Sequence, residues 1–91
     1  MHKRLHLIIK GRVQGVFYRD STKKKAQELD IKGLVRNLRE GNVEIIAEGE
    51  ETKLNDLIQW CWKGPENARV SDIKIEWQPY KRQFKEFRVS Y

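Results

Sequence analysis

Residues 11–19 read Gly11-Arg12-Val13-Gln14-Gly15-Val16-Phe17-Tyr18-Arg19, and they join two runs of different period. Before them lie Leu5, Leu7, Ile8 and Ile9, a strand-like apolar run; after them a helix-like run extends from about Asp20 to Leu29. A loop between a strand and a helix is a place where backbone N–H groups converge. The first amides of a helix have no internal acceptors, and the helix dipole adds positive potential there. Gly11 and Gly15 permit the tight backbone that an anion cradle needs. Arg19 stands at the mouth of the helix, where its guanidinium can close on the same anion with paired hydrogen bonds. The segment is therefore a candidate phosphate or carboxylate site. Taken alone, a strand-to-helix turn with an exposed arginine is the simpler reading.

Working outward, residues 4–10 alternate, with Leu5, Leu7 and Ile9 on one side and Arg4, His6 and Lys10 on the other, so a half-buried strand is expected. On the helix that follows, Thr22, Ala26 and Leu29 mark one face, and Lys23, Lys24 and Lys25 form a solvated flank. Gly33 opens a second strand, Leu34 to Arg39. The turn Glu40-Gly41-Asn42 returns the chain into a third, Val43 to Gly49, completing a hairpin. Thr52 is the expected cap of the next helix, whose stripe Leu54, Leu57, Ile58 and Cys61 falls at helical spacing. Gly64-Pro65 stops that helix. A fourth strand carries Ile73, Ile75 and Trp77 on one side, and Phe87, Val89 and Tyr91 form a short last strand.

Strand, helix, strand, strand, helix, strand, plus a short C-terminal strand, describes two intercalated strand–helix–strand units. The fold class is α+β: a ferredoxin-like two-layer sandwich, an antiparallel sheet with two helices on one face. With 91 residues and no linker or repeat, residues 1–91 form a single domain. Apolar residues make up 38% and charged residues 35%, a soluble composition that excludes wholesale disorder. No apolar run is long enough to span a bilayer, and His2, Lys3, Arg4 and His6 interrupt any signal segment, so a cytoplasmic location is expected. Cys61 is the sole cysteine, which rules out an internal disulfide and a cysteine-built metal site. The net charge of +6 asks for an anionic partner without saying whether it is nucleic acid or a small anion.

A right-handed crossover makes the first two strands parallel, so their C-terminal ends share one edge of the sheet. Asn37 lies four residues beyond Gly33, roughly 13 Å along the second strand towards the loop. Asparagine is disfavoured inside strands, so its presence invites a reason, a polar residue facing the hairpin turn being the plain alternative. With Arg19 and Asn37 at one edge, the loop amides and the guanidinium can hold a phosphoryl group while the Asn37 amide positions a water in line for attack on phosphorus. Such parts suffice where the leaving group is good, as a carboxylate is in an acyl phosphate.

These residues resemble the acylphosphatase family. Its first signature, Gly-x-Val-Gln-Gly-Val-x-aromatic-Arg, falls on Gly11, Val13, Gln14, Gly15, Val16, Tyr18 and Arg19; its second falls on Gly33, Val35, Asn37, Gly41, Val43 and Gly49. Tyr18 stands where the family usually has Phe or Met, and Leu34 where an aromatic is usual. Both are apolar-packing positions by type. The resemblance implies hydrolysis of small acyl phosphates to carboxylate and inorganic phosphate. It implies that Arg19 binds the phosphate, that Asn37 orients the water, and that the amides of Gln14, Gly15, Val16, Phe17, Tyr18 and Arg19 form the cradle. It also implies a monomer with no metal or organic cofactor.

Two other readings compete. A ferredoxin-like nucleic-acid binder stacks bases on sheet aromatics, whereas the outward positions here are Glu44, Ile46 and Glu48, with His6, Ile8 and Lys10 on the first strand; nucleic acid is not the expected partner. A non-catalytic anion-sensing module would share fold and loop and differ only in turnover. A nucleotide P-loop needs Gly-Lys-Ser or Gly-Lys-Thr, which Gly15-Val16 does not supply. A cysteine phosphatase needs an arginine six residues past Cys61, where Asn67 stands. His2 and His6 are not expected to bind metal.

Overall fold

Leu5, Leu7 and Ile9 lose all contact with solvent on one face of the first strand, β1 (His2–Arg12), as their alternation requires. A computed structural model describes residues Met1–Tyr91. β1 is longer than the alternation suggested, because its N-terminal end pairs from His2 opposite Glu50. After the loop come α1 (Tyr18–Glu28), β2 (Lys32–Asn37), β3 (Val43–Glu50), α2 (Glu51–Lys63), β4 (Arg69–Gln78) and β5 (Phe87–Val89).

The sheet order is β4-β1-β3-β2-β5. β1 and β2 both pair antiparallel to β3, so they run parallel to each other and end at the same edge. The sheet is not wholly antiparallel: β5 pairs parallel to β2, with Gly33 opposite Phe87 and Val35 opposite Val89. The connection from β4 crosses the sheet before β5 begins, which brings β5 in along the direction of β2. Tyr91 lies beyond this strand rather than in it.

Ala26 on α1 and Leu54, Leu57 and Cys61 on α2 join an apolar cluster with Leu7, Ile9, Val35 and Ile45, and Thr22 is buried beside Ala26 on the same face of α1. Burying each side chain of leucine size is worth about 1.5–3 kcal/mol, so this stripe-on-sheet contact is the main cohesive element. α2 follows β3 without a loop. Glu50 is its N-cap residue and Thr52 lies inside the first turn, so Thr52 is not the cap. Glu50 instead pairs with the amino group of Met1. At the other end the Gly64 amide donates to the Trp60 carbonyl at 2.8 Å. β2 stops at Asn37 rather than Arg39, because the Leu38 amide turns to the Asn42 carbonyl at 2.8 Å and starts the hairpin there.

The sheet face away from the helices is partly covered. Glu48, read as an outward position, is only 1% exposed. Its carboxylate accepts from the backbone amides of Lys81 and Gln83, each at 2.8 Å, and from Arg4 Nη1 at 3.3 Å. Burial pushes its pKa up, but these donors outweigh burial and hold it below the usual carboxylate range. Repulsion of a nucleic-acid backbone therefore cannot come from Glu48. Glu44 is tied as well, to His6 at 2.7 Å and to Arg36. No helix is long and apolar enough to cross a membrane.

Candidate active site

The loop leaves β1 through a bulge. At Gly11, φ is +129°, and a Cβ there would lie 2.1 Å from the Arg69 carbonyl oxygen, so only glycine fits. Val13 and Val16 turn inward and are buried, which anchors the loop at two points. Between and after them the backbone is left-handed at Gly15 (φ +76°) and at Phe17 (φ +64°), with Val16 on the other side of zero. Alternation of this kind turns successive N–H groups to one side and makes an anion-binding concavity. The first helical hydrogen bond runs from the Ser21 amide to the Phe17 carbonyl at 3.1 Å. The amides of Tyr18, Arg19 and Asp20 thus have no acceptor within the helix.

Two side chains lock this turn. Tyr18 is buried, and its hydroxyl donates to the Cys61 carbonyl at 2.7 Å, while Thr22 Oγ1 donates to the Tyr18 carbonyl at 2.8 Å. The position is an aromatic packing site, as its type suggested, with one polar bond added; burial and the Cys61 neighbourhood raise the phenol pKa. Gln14 Nε2 donates to the carbonyls of Leu38 and Asn42, each at 2.8 Å. That pair of hydrogen bonds ties the loop to the hairpin turn just past Asn37.

Asn37 is the last residue of β2, opposite Val43 and on the helix-covered side of the sheet. With Gly15, Phe17, Tyr18 and Arg19 it lines an open cavity of about 270 Å³. Its Oδ1 is buried and accepts no hydrogen bond from the protein. The Arg19 guanidinium lies 4.9 Å from the centroid of the Tyr91 ring, a cation–π contact that orients it without neutralising it. Gln14 and Val16 do not line the cavity with their side chains. One staples the loop and the other packs inward.

Tyr91 and Asp20 also line the cavity and were not singled out from the sequence. Asp20 had a signal, since an acid in the first turn suits the helix dipole. Tyr91 had none: its alternation with Phe87 and Val89 marked it as a strand residue. Cys61 lies in the core, where burial pushes its thiol up to about 12, far from a nucleophile's range. No three His, Cys, Asp or Glu side chains come together as a metal site would need. Convergent amides beside a guanidinium suit a tetrahedral oxyanion.

The family model described as Acylphosphatase matches residues 5–89. The chain belongs to the acylphosphatase family. It is 48% identical over 88 residues to an acylphosphatase of Marinobacter nauticus, covering 97% of this chain and 96% of that one. Among solved structures, an acylphosphatase from Coxiella burnetii superposes with a TM-score of 0.93 at 40% identity, covering 98% of this chain and 93% of that chain. One from Bacillus subtilis gives 0.95 at 31% identity over the whole of both chains. Membership of the acylphosphatase family makes the chain an enzyme, and the ferredoxin-like fold is shared with these relatives.

Proposed function

We propose that this acylphosphatase hydrolyses the carboxyl–phosphate bond of small acyl phosphates by direct attack of water. The phosphoryl oxygens rest on the amides of residues 14–19 and on the Arg19 guanidinium. The Asn37 side chain accepts from the attacking water through Oδ1 and holds it in line with the departing carboxylate. Water adds to phosphorus, the bond to the acyl oxygen breaks, and the proton from the water passes to a phosphate oxygen; the products are carboxylate and inorganic phosphate. Positioning and electrostatic neutralisation carry the rate, because a carboxylate leaves without help from a strong acid.

The observation that supports this reading is the presence of Arg19 and Asn37, from different elements, on the walls of one cavity. The buried, unpartnered Asn37 Oδ1 is an acceptor with work for a water to do. No metal or organic cofactor takes part in the scheme. A monomer acting in the cytoplasm, with no nucleic-acid partner, belongs to the same reading.

Release of phosphate from benzoyl phosphate by the purified protein, with and without a chelator, tests it. Equal turnover in both is expected. Absence of turnover by the folded protein overturns the reading, and loss of turnover with chelator overturns its metal-free part.

A further inference from the structure

We infer that Phe17 is the residue that selects the acyl group, and that it favours aromatic over small aliphatic acyl phosphates. The inference rests on the hydrolase reading above and names the substrate class for the same cavity.

Phe17 carries two costs that nothing within the protein offsets. Its side chain is 78% exposed, although a phenyl ring gains by burial. Its backbone is left-handed, at φ +64° and ψ +25°, a conformation that glycine and asparagine adopt readily and bulky side chains do not. Phe17 also occupies the N-cap position of α1, where a Ser, Thr, Asp or Asn would hydrogen-bond a free amide, and its side chain makes no cap bond. A strained residue at the rim of a cavity is a pointer to a role there.

The surroundings say which role. The phosphoryl end of a substrate is held by the loop amides and Arg19, so the acyl end is the part left to meet the rim. The group leaving phosphorus departs opposite the attacking water, and hence away from Asn37. Phe17 forms the ridge between the cavity that contains Asn37 and a second groove along α1, lined by Asp20, Lys23 and Lys24, that does not contain it. Of the two exposed aromatics on the cavity, Tyr91 turns one face to the Arg19 guanidinium, whereas Phe17 has neither a ring nor a cation stacked on it and alone of the two borders the groove away from Asn37. Phe17 is therefore the aromatic placed on the leaving-group side, and aromatic rings pair with such a face beyond what contact area alone supplies.

The test measures kcat/KM for benzoyl phosphate and for acetyl phosphate, in the wild type and in Phe17→Gly and Phe17→Asn, both of which suit the left-handed backbone. The wild type is expected to favour benzoyl phosphate. In each variant the benzoyl-to-acetyl ratio is expected to fall about 5–10-fold, while the thermal midpoint stays at or above the wild-type value as strain is relieved. A ratio that stays within twofold of wild type in either folded variant overturns the inference and leaves the hydrolase reading intact. A wild type that turns over neither substrate overturns both.

Discussion

Gln14 Nε2 lies 2.8 Å from the carbonyl of Leu38, the residue directly after Asn37. The loop after β1 and the strand end that carries the carboxamide are therefore one mechanical unit, although they are separated by a helix and a strand in the chain. Gln14→Ala removes the donor shared by Leu38 and Asn42. It should lower kcat/KM roughly 10²-fold through misplacement of the two halves of the site, with a loss of about 0.5–1.5 kcal/mol in stability for each lost hydrogen bond, since the Leu38 and Asn42 carbonyls keep the backbone donors Gly41 and Leu38. Kinetics at wild-type level in a folded Gln14→Ala protein would refute this coupling.

Arg19 has no acidic partner and keeps its charge for the cavity. Arg19→Ala should lower kcat/KM by about 10²–10³, and Arg19→Lys should recover only part, since an ammonium cannot reproduce the paired donors of a guanidinium. Steady-state kinetics, together with competitive inhibition by inorganic phosphate in the wild type and its weakening in the variants, check the assignment.

For Asn37 the expectation divides kcat from KM. If its work is on the water, Asn37→Ala lowers kcat and leaves KM close to wild type. An Asn37→Ala enzyme with unchanged kcat would remove it from the mechanism.

Tyr18 donates to a carbonyl that the helix cannot satisfy. The residue four beyond Cys61 is Pro65, which has no N–H, so the Tyr18 hydroxyl takes the place of the missing helical donor at 2.7 Å. Tyr18→Phe leaves that buried carbonyl unpaired and should cost about 1–3 kcal/mol, read as a lowered denaturant midpoint. An unchanged midpoint would show that the bond carries no stability.

Glu48 links acid stability to the far face of the sheet. Its carboxyl pKa is held below the value it has in the unfolded chain, so its stabilisation is complete above that unfolded value, near 4.3, and is lost as pH falls through the folded one. Glu48→Gln should destabilise by about 1.5–3 kcal/mol at pH 7. The gap to wild type should close below about pH 4. A gap independent of pH from 7 to 3 would contradict the role of the charge.

Periodicity carried much of this protein. The Leu5, Leu7, Ile9 alternation and the Leu54, Leu57, Cys61 stripe are local patterns, and local patterns survive without knowledge of the partner surface. The same patterns misled where a neighbour decides. Thr52 has the chemistry of a cap, but β3 runs straight into α2 and puts the cap at Glu50. Glu48 alternates as an outward residue, yet Arg4 and the backbone of Lys81 and Gln83 enclose it.

By itself the sequence determined the order of elements, the glycine-bearing loop between β1 and α1, and the residue types, Arg19 and Asn37, suited to a phosphoryl group. Those follow from spacing and from side-chain chemistry, which each residue carries with it. Only the tertiary structure decided that β5 runs parallel to β2, that Gln14 joins the loop to the hairpin, and that Phe17 and Tyr91 frame the cavity with Tyr91 on Arg19. These are contacts between segments distant in sequence, and their free energy depends on which surfaces meet, a quantity that no local window of residues contains.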